Sequence, residues 1–460
     1  QAMAQTELRL DGLGIRRINE VPSGVEVISL TGNCLRGLGA VASCDLLREL
    51  DLSGNRLDER ALAPLGELPR LRVLNVSGNL LQDLAPLFPT RAAFPALEAL
   101  DLSGNAALAD VGPALEAPAL RALAASGLAL TEARCRPSQT LEVLDLRRCC
   151  LQAVSGLAAL ASLRELLLDG NAMLACDDVS AHPVLQTLQL GHNAVSQMPA
   201  LRLPSLTSLD AAANDLAGLP DLGGAPRLSS LSLCENTVAS LMPIAPLRNL
   251  TILDASRNQL SHLEPSLASA LQQLRVLLLA GNRIERLEDI GEALQRACAP
   301  GASPRLEHLD LRDNPLSLAF YPILDLPAWT WDADKTLSEA EGLGEVRLDE
   351  STRAARARYR ASAAALCPGL RTLDGALALA AERQVDVEWP LGRDGDEVVI
   401  ETPRQEGRDL LPELSPDAPS WAPTPPPGDA ALPGAPRLWA GPAGAAQPRW
   451  PLRGEPDAAA

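Results

Sequence analysis

The stretch Leu47-Arg48-Glu49-Leu50-Asp51-Leu52-Ser53-Gly54-Asn55-Arg56-Leu57 decides the fold. Its pattern is apolar, two variable, apolar, variable, apolar, two variable, Asn, variable, apolar. The pattern aligns fourteen times, with its Asn column at Leu13, Asn33, Asn55, Asn79, Asn105, Leu128, Cys149, Asn171, Asn193, Asn214, Asn236, Asn258, Asn282 and Asn314. Eleven of the fourteen carry Asn and one carries Cys, so chance does not account for the column. Successive positions lie 20 to 26 residues apart through Asn282, and the last step is 32. Residues 8–316 therefore read as one continuous array, preceded by a polar lead-in over 1–7.

In each copy two apolar residues flank one variable position, as Leu50 and Leu52 flank Asp51. That is period two, a short strand with one face inward. The chain then turns at the Asn. A buried Asn side chain has donors and an acceptor for turn groups that lack a ladder partner. A buried polar group left unsatisfied costs about 1–3 kcal/mol, so a column of Asn is a structural device. Apolar residues after the Asn come at spacings of two to three, as in Leu151, Val154, Leu157, Leu160 and Leu163. This fits a short helical or 3-10 return on the convex side. One coil cannot bury its own inner face, so stacking supplies the core. The motif is identified as the leucine-rich repeat. The expected fold is α/β: a solenoid of about 14 coils with a parallel inner sheet and a helical, 3-10 and irregular outer side.

The form Asn-x-apolar-x-x-apolar-x-x-Leu resembles the 22-residue repeat class of the nuclear phosphatase-1 regulator. The segment Tyr359 to Gly375, with Tyr359-Arg360 and Cys367-Pro368-Gly369-Leu370-Arg371-Thr372-Leu373-Asp374-Gly375, is similar to the C-terminal cap of that regulator. A U2 snRNP protein and many ciliary leucine-rich repeat proteins share this cap. Asp313-Asn314-Pro315-Leu316 followed by Phe320-Tyr321-Pro322 resembles the last repeat of centrosomal, spindle-pole and some axonemal scaffolds. The resemblance places a cap over 317–380. It implies a protein-binding scaffold and brings no catalytic residue with it.

The net charge of −18 argues against nucleic acid and anionic membrane as main partners. Nine cysteines are scattered through the coils without clustering, which points to reduced thiols in an intracellular protein. The chain contains no apolar run of about 18 residues and no visible signal peptide. Residues 386–401 are acidic, and 401–460 contain fourteen prolines with isolated Trp421, Trp439 and Trp450. The segment 381–460 is expected to be an extended or disordered Pro-rich tail. Its three tryptophans are candidate anchors on a neighbouring protein.

The sequence carries no signature of reactive chemistry. The histidines His182, His192, His262 and His308 sit in different coils without metal-ligand spacing. Cys149-Cys150 is adjacent rather than C-x-x-C, and Gly12-x-Gly14 lacks a nucleotide-binding context. Arg393-Asp394-Gly395-Asp396-Glu397 lacks the spacing of a calcium loop. No cofactor, metal or small-molecule substrate is expected, and the chain is read as a non-enzyme.

The working surface is expected on the inner sheet. The variable residue between the two leucines is Asp at Asp51, Asp101, Asp145, Asp210, Asp254 and Asp310. The neighbouring column supplies Val73, Val143, Ile252 and Val276 as an exposed apolar row. Leu-Asp-Leu is also a habit of the repeat itself, so the Asp column has a structural explanation as well. The functional expectation is an acidic groove for a partner segment bearing Arg or Lys. The leading expectation is a structural scaffold of the ciliary axoneme, a cytoskeletal component of the cilium or flagellum. Alternatives are a phosphatase-1-type regulatory subunit and a centrosomal or spindle-pole scaffold, with the centrosome or the cytosol and nucleus as alternative locations.

Overall fold

The computed structural model of the chain describes residues 6–90, 93–175, 179, 182–297, 305–318 and 350–374, and the backbone of 376–377. Every aligned copy contributes one three-residue strand, from Glu7–Arg9 in the first to His308–Asp310 in the fourteenth. These strands run parallel and in chain order through a single sheet, in which Leu50 pairs in register with Leu74 and Leu74 with Leu100. The sheet continues through Thr372–Leu373, parallel to His308–Asp310, and closes with the antiparallel Ala376–Leu377. Leu370, Leu373 and Asp374 thus belong to one more rung after the fourteenth copy. Strands this short cannot form alone; from the second rung to the fourteenth the middle residue, such as Ile28, Leu50, Leu74 or Leu231, is buried on its neighbours in one core.

The Asn column ties each coil to the one before. Asn55 Oδ1 accepts the Leu35 N–H at 3.0 Å, while its Nδ2 donates to Leu30 O and to its own Leu52 O, both at 2.9 Å. Asn79, Asn214, Asn236, Asn258 and Asn282 repeat the arrangement. The residue before the Asn always takes a left-handed backbone. Gly fills that place at Gly32, Gly54, Gly78 and Gly104, but Arg148, His192, Ala213, Glu235, Arg257 and Asp313 also occupy it. Left-handed backbone costs an L-residue roughly 1–2 kcal/mol, so those coils carry a strain that the ladder overcomes.

The outer side is short and irregular. It holds 3-10 turns such as Ala63–Glu67 and Leu157–Ala159, and the ten-residue helix Glu288–Ala297, which fills the 32-residue step. The two aromatics of the array, Phe88 and Phe94, lie 5.0 Å apart between ring centroids and fill the longest early loop. A second, two-stranded sheet pairs Glu132–Arg134 with Ala153–Ser155 on the outer side of the coils that lack Asn. The inner sheet passes through these coils without interruption.

At the C-terminal end the 17-residue helix Glu350–Leu366 packs beside the last rung. Its Tyr359 hydroxyl donates to Asp374 Oδ2 at 2.8 Å, and Asp374 Oδ1 accepts the Leu311 N–H at 2.8 Å. Asp374 is fully buried, and the Arg360 guanidinium donates to Leu373 O. Tyr359-Arg360 and Leu373-Asp374 are therefore two halves of one hydrogen-bonded latch. Phe320, Tyr321, Pro322, the tail 381–460 and its Trp421, Trp439 and Trp450 lie outside the described residues.

Candidate functional site: the concave face

Alternation sends the first and third residue of each strand to the inner face and the second into the core. The third-residue column holds the expected carboxylates in sequence along the sheet. Each also has a local task. The Oδ1 atoms of Asp51, Asp101, Asp210 and Asp254 each accept the N–H two residues on, at 2.9–3.0 Å. Asn75 does the same for Ser77. These bonds satisfy a backbone group at the point where the strand leaves the ladder. Asp145 and Asp310 go further. Arg147 grips both oxygens of Asp145 at 2.9 and 2.7 Å, and the buried Arg312 grips Asp310. Two of the six carboxylates thus already have an internal cation.

The column is less open than an acidic groove requires. Asp101, Asp145, Asp210 and Asp310 are buried, while Asp51 and Asp254 are half-buried. Burial, the largest cause, lifts the Asp101 carboxyl to about 6 and that of Asp254 to about 6. The apolar row needs correction too. Val73 is 3 % exposed and presents no surface. Val143, Ile252 and Val276 are half-buried and do face the concavity. Between them the row turns to hydroxyls: Ser208 and Ser230, with Ser232 in the next column, are all buried. Ser230 Oγ has no hydrogen-bond partner.

Two features of this face escaped the sequence reading. The first is Asp169, which stands one column beyond the Asp row. Its Oδ1 accepts the Gly191 N–H at 2.8 Å, and a Cβ at Gly191 would lie 3.1 Å from Asp169 Oδ1 and 3.6 Å from Asp210 Oδ1. Glycine there leaves the two carboxylates room to approach. Burial, followed by the charge of Asp210, lifts Asp169 to about 7.

The second is a charge ladder on the residue just before each strand. Arg48 pairs with Glu26 at 3.4 Å, Arg72 with Glu98 at 3.7 Å, and Glu142 with both Arg121 and Arg164 at 3.1 and 3.3 Å. Glu307 sits between Arg275 and Arg371, at 2.7 and 3.4 Å. In the middle of the array hydroxyls replace charges. Thr207, Ser229 and Thr251 each donate to the carbonyl of the matching residue one coil back, at 2.8–3.0 Å. Reading the sequence at a fixed offset from the Asn column would have displayed this alternation.

Among the described residues there is no cluster of three or more His, Cys, Asp or Glu able to hold a metal. Among the described residues Cys34, Cys44, Cys149, Cys150 and Cys234 are free thiols, and no described helix is long and apolar enough to cross a membrane.

Comparison with known proteins agrees with the geometry. A leucine-rich repeat family model matches residues 226–284, and a second matches 46–68. Human podocan-like protein 1 is 32 % identical over 316 residues, covering 65 % of this chain and 54 % of that protein. Tubulin-folding cofactor E of Arabidopsis thaliana is 30 % identical over 199 residues, covering 37 % and 38 %. The chain therefore spans about half or less of these relatives' length. A leucine-rich repeat protein of Leptospira interrogans superposes with a TM-score of 0.52 at 23 % identity, over 62 % of this chain and 78 % of that one. The Asn ladder, the continuous parallel sheet and these matches make the chain a leucine-rich repeat protein.

Proposed function

We propose that the chain is a non-enzymatic protein-interaction scaffold whose concave face receives a partner segment. The observation that carries this reading is the face itself. Fourteen aligned rows at about 4.8 Å spacing form a plate on the order of 60 Å long. Its side chains are mostly short, grading from Val143 through the Ser208–Ser232 hydroxyls to Ile252 and Val276, beside a column of carboxylates. A basic segment fits such a strip: its stem lies on the apolar and hydroxyl row, and its cation meets Asp51 or Asp254. Asp145 and Asp310, already gripped by Arg147 and Arg312, contribute less.

The setting we propose is the ciliary axoneme, with protein subunits of that assembly as partners. Support comes from the cap at 359–375, the element that resembles ciliary members. The Arabidopsis relative's name, a tubulin-folding cofactor, is compatible with a cytoskeletal setting. The repeat form keeps a phosphatase-1-type regulatory subunit as a second reading, and the last-repeat motif keeps a centrosomal scaffold as a third. Trp421, Trp439 and Trp450 complete the proposal as tail anchors.

The test separates charge from fold. Asp51→Asn with Asp254→Asn removes two charges yet keeps the Oδ1 acceptors for Ser53 and Ser256, as Asn75 already does for Ser77 in this column. Affinity purification of the full chain from detergent-extracted axonemes should recover partners that this double variant loses, with its unfolding midpoint kept. Recovery only from a soluble pool refutes the axonemal setting. Recovery of a phosphatase catalytic subunit, lost in the same variant, favours the second reading.

A further inference from the structure

The charge ladder alternates at every charged step but one. From the second coil onward the column before the strands runs Glu26, Arg48, Arg72, Glu98, Arg121, Glu142, Arg164, and later Arg275, Glu307, Arg371. Only Arg48 and Arg72 place like charges on adjacent coils. Neighbouring parallel strands lie about 4.8 Å apart, where like charges destabilise one another. The structure resolves the conflict by parting them. Arg48 pairs back with Glu26 at 3.4 Å, and Arg72 pairs forward with Glu98 at 3.7 Å.

An open cleft of about 280 Å³ is lined by Arg48, Arg72, Arg70, Pro69 and Ala96. Arg70 is exposed, stands in the turn that leads into the strand Val73–Asn75, and makes no ion pair with another described residue. Three arginines therefore line one recess in a chain of net charge −18, at the one step where the ladder sets two cations on adjacent coils.

We propose that this cleft docks an oxyanion-bearing side chain of a protein partner, a phosphorylated residue or a carboxylate. The incoming group completes the alternation as Glu26, Arg48, anion, Arg72, Glu98, with Arg70 closing over it. Planar guanidiniums suit such a group because each presents paired N–H donors to two oxygens. The cleft lies on the edge of the solenoid and calls for the opposite charge from the concave carboxylates. It stands whether or not the concave face binds a basic segment.

The test uses the full chain at low ionic strength with three probes: a fluorescein-labelled phosphoserine peptide, its glutamate-rich counterpart, and inorganic phosphate as competitor. A neutral alanine version serves as the blank. The expected result is saturable binding of one acidic peptide, weakened at least ten-fold in Arg48→Ala/Arg70→Ala and unchanged in Arg164→Ala, which lies in the alternating part of the ladder. Phosphate should displace the peptide. Preference for phosphoserine assigns a phosphoryl group, and preference for glutamate a carboxylate; either supports the site. Equal binding of the blank, equal losses in the double variant and Arg164→Ala, or binding of phosphate without either peptide overturns it. Unchanged unfolding midpoints certify that the variants are folded.

Discussion

From Asn193 to Asn282 every coil is fastened to its predecessor by an Asn; in the coils of Leu128 and Cys149 two successive fastenings are missing. In the regular stretch Asn236 Oδ1 meets Leu216 N–H at 3.0 Å, and its Nδ2 meets Ala211 O at 2.9 Å and Leu233 O at 3.0 Å. In the other stretch Leu128 offers nothing, and the Cys149 thiol donates to Ala125 O at 3.0 Å. The outer side makes up the second of these, between the coils of Leu128 and Cys149. There Glu132–Arg134 pairs with Ala153–Ser155, and Cys135 N–H reaches Ser155 O at 2.8 Å. Cross-coil hydrogen bonding has moved from the corner of the solenoid to its back. The coil of Cys149 thus stays in register with a second backbone ladder spanning its pair of coils, while the coil of Leu128 keeps register with that of Asn105 through the inner pairing of Ala99–Asp101 with Ala122–Ala124.

The largest expected effect comes from imposing the broken design where no such ladder exists. Asn236→Leu leaves the buried Leu216 N–H without an acceptor and should cost about 3 kcal/mol. A lowered midpoint in denaturant unfolding, with residues 211–238 losing amide protection, checks it. An unchanged midpoint would mean that the Asn ladder is dispensable everywhere.

Next comes the coil just before the break. Asp101 is buried, with Ala124 opposite it on the following strand, and its carboxyl stands at about 6 against the ordinary 3.8. A raised folded-state value means that the folded protein holds its proton more tightly. Its contribution therefore favours folding below about pH 4 and is progressively lost as pH rises from about 4 to about 6. Asp101→Asn retains the acceptor for Ser103 N–H and removes this dependence. The variant should gain on the order of 2 kcal/mol relative to the parent at pH 7.5, and far less at pH 4. Paired unfolding curves at the two pH values measure it, and a gain of equal size at both would refute the burial argument.

Repairing the broken stretch is the third test. Sulfur is a weak acceptor, so the coil before Cys149 lacks a good acceptor for Leu130 N–H. The thiol is held up at about 11, chiefly by burial, and so remains a donor at neutral pH. Cys149→Asn adds the missing carbonyl and keeps a donor for Ala125 O. A gain of about 1 kcal/mol is expected in chemical unfolding. A loss would indicate that the outer sheet has fixed a geometry incompatible with the corner bond.

The smallest effect concerns strain. Ala213 holds a φ of 50°, whereas Gly104 and Gly281 take the equivalent place in other coils. Ala213→Gly should stabilise by about 0.5–1 kcal/mol, the relief of left-handed strain less the added chain entropy. Thermal unfolding resolves a change of this size, and destabilisation would mean that the alanine methyl packs usefully.

Legibility differed with the kind of periodicity. The leucines and Asn were readable because each copy restates the same demand: a buried position admits few side chains, and a corner with unpaired backbone groups admits fewer. The helix Glu288–Ala297 fills the 32-residue step ahead of Pro300-Gly301, and Glu350–Leu366 runs into Cys367-Pro368-Gly369, so each carries a stop signal in the sequence. The Asp column was visible as a column, but its use was not. Whether Asp145 faces a partner or its own Arg147 depends on a side-chain direction that spacing does not specify. Val73 and Val276 look alike in sequence and differ in exposure because their neighbours along the sheet differ. The ladder from Glu26 to Arg371 was missed because its members are variable in type and regular only in position.

The sequence alone determined that this chain is a stack of coils, since a core assembled from one-sided strands leaves no other way to bury so many evenly spaced leucines. It also determined the number of coils and where the ladder of Asn fails. Only the tertiary structure decided which charges meet, because residues some 22 positions apart become neighbours at about 4.8 Å only once the coils are stacked. That stacking sets Arg48 beside Arg72, draws Asp169 toward Asp210, and joins Tyr359 to Asp374.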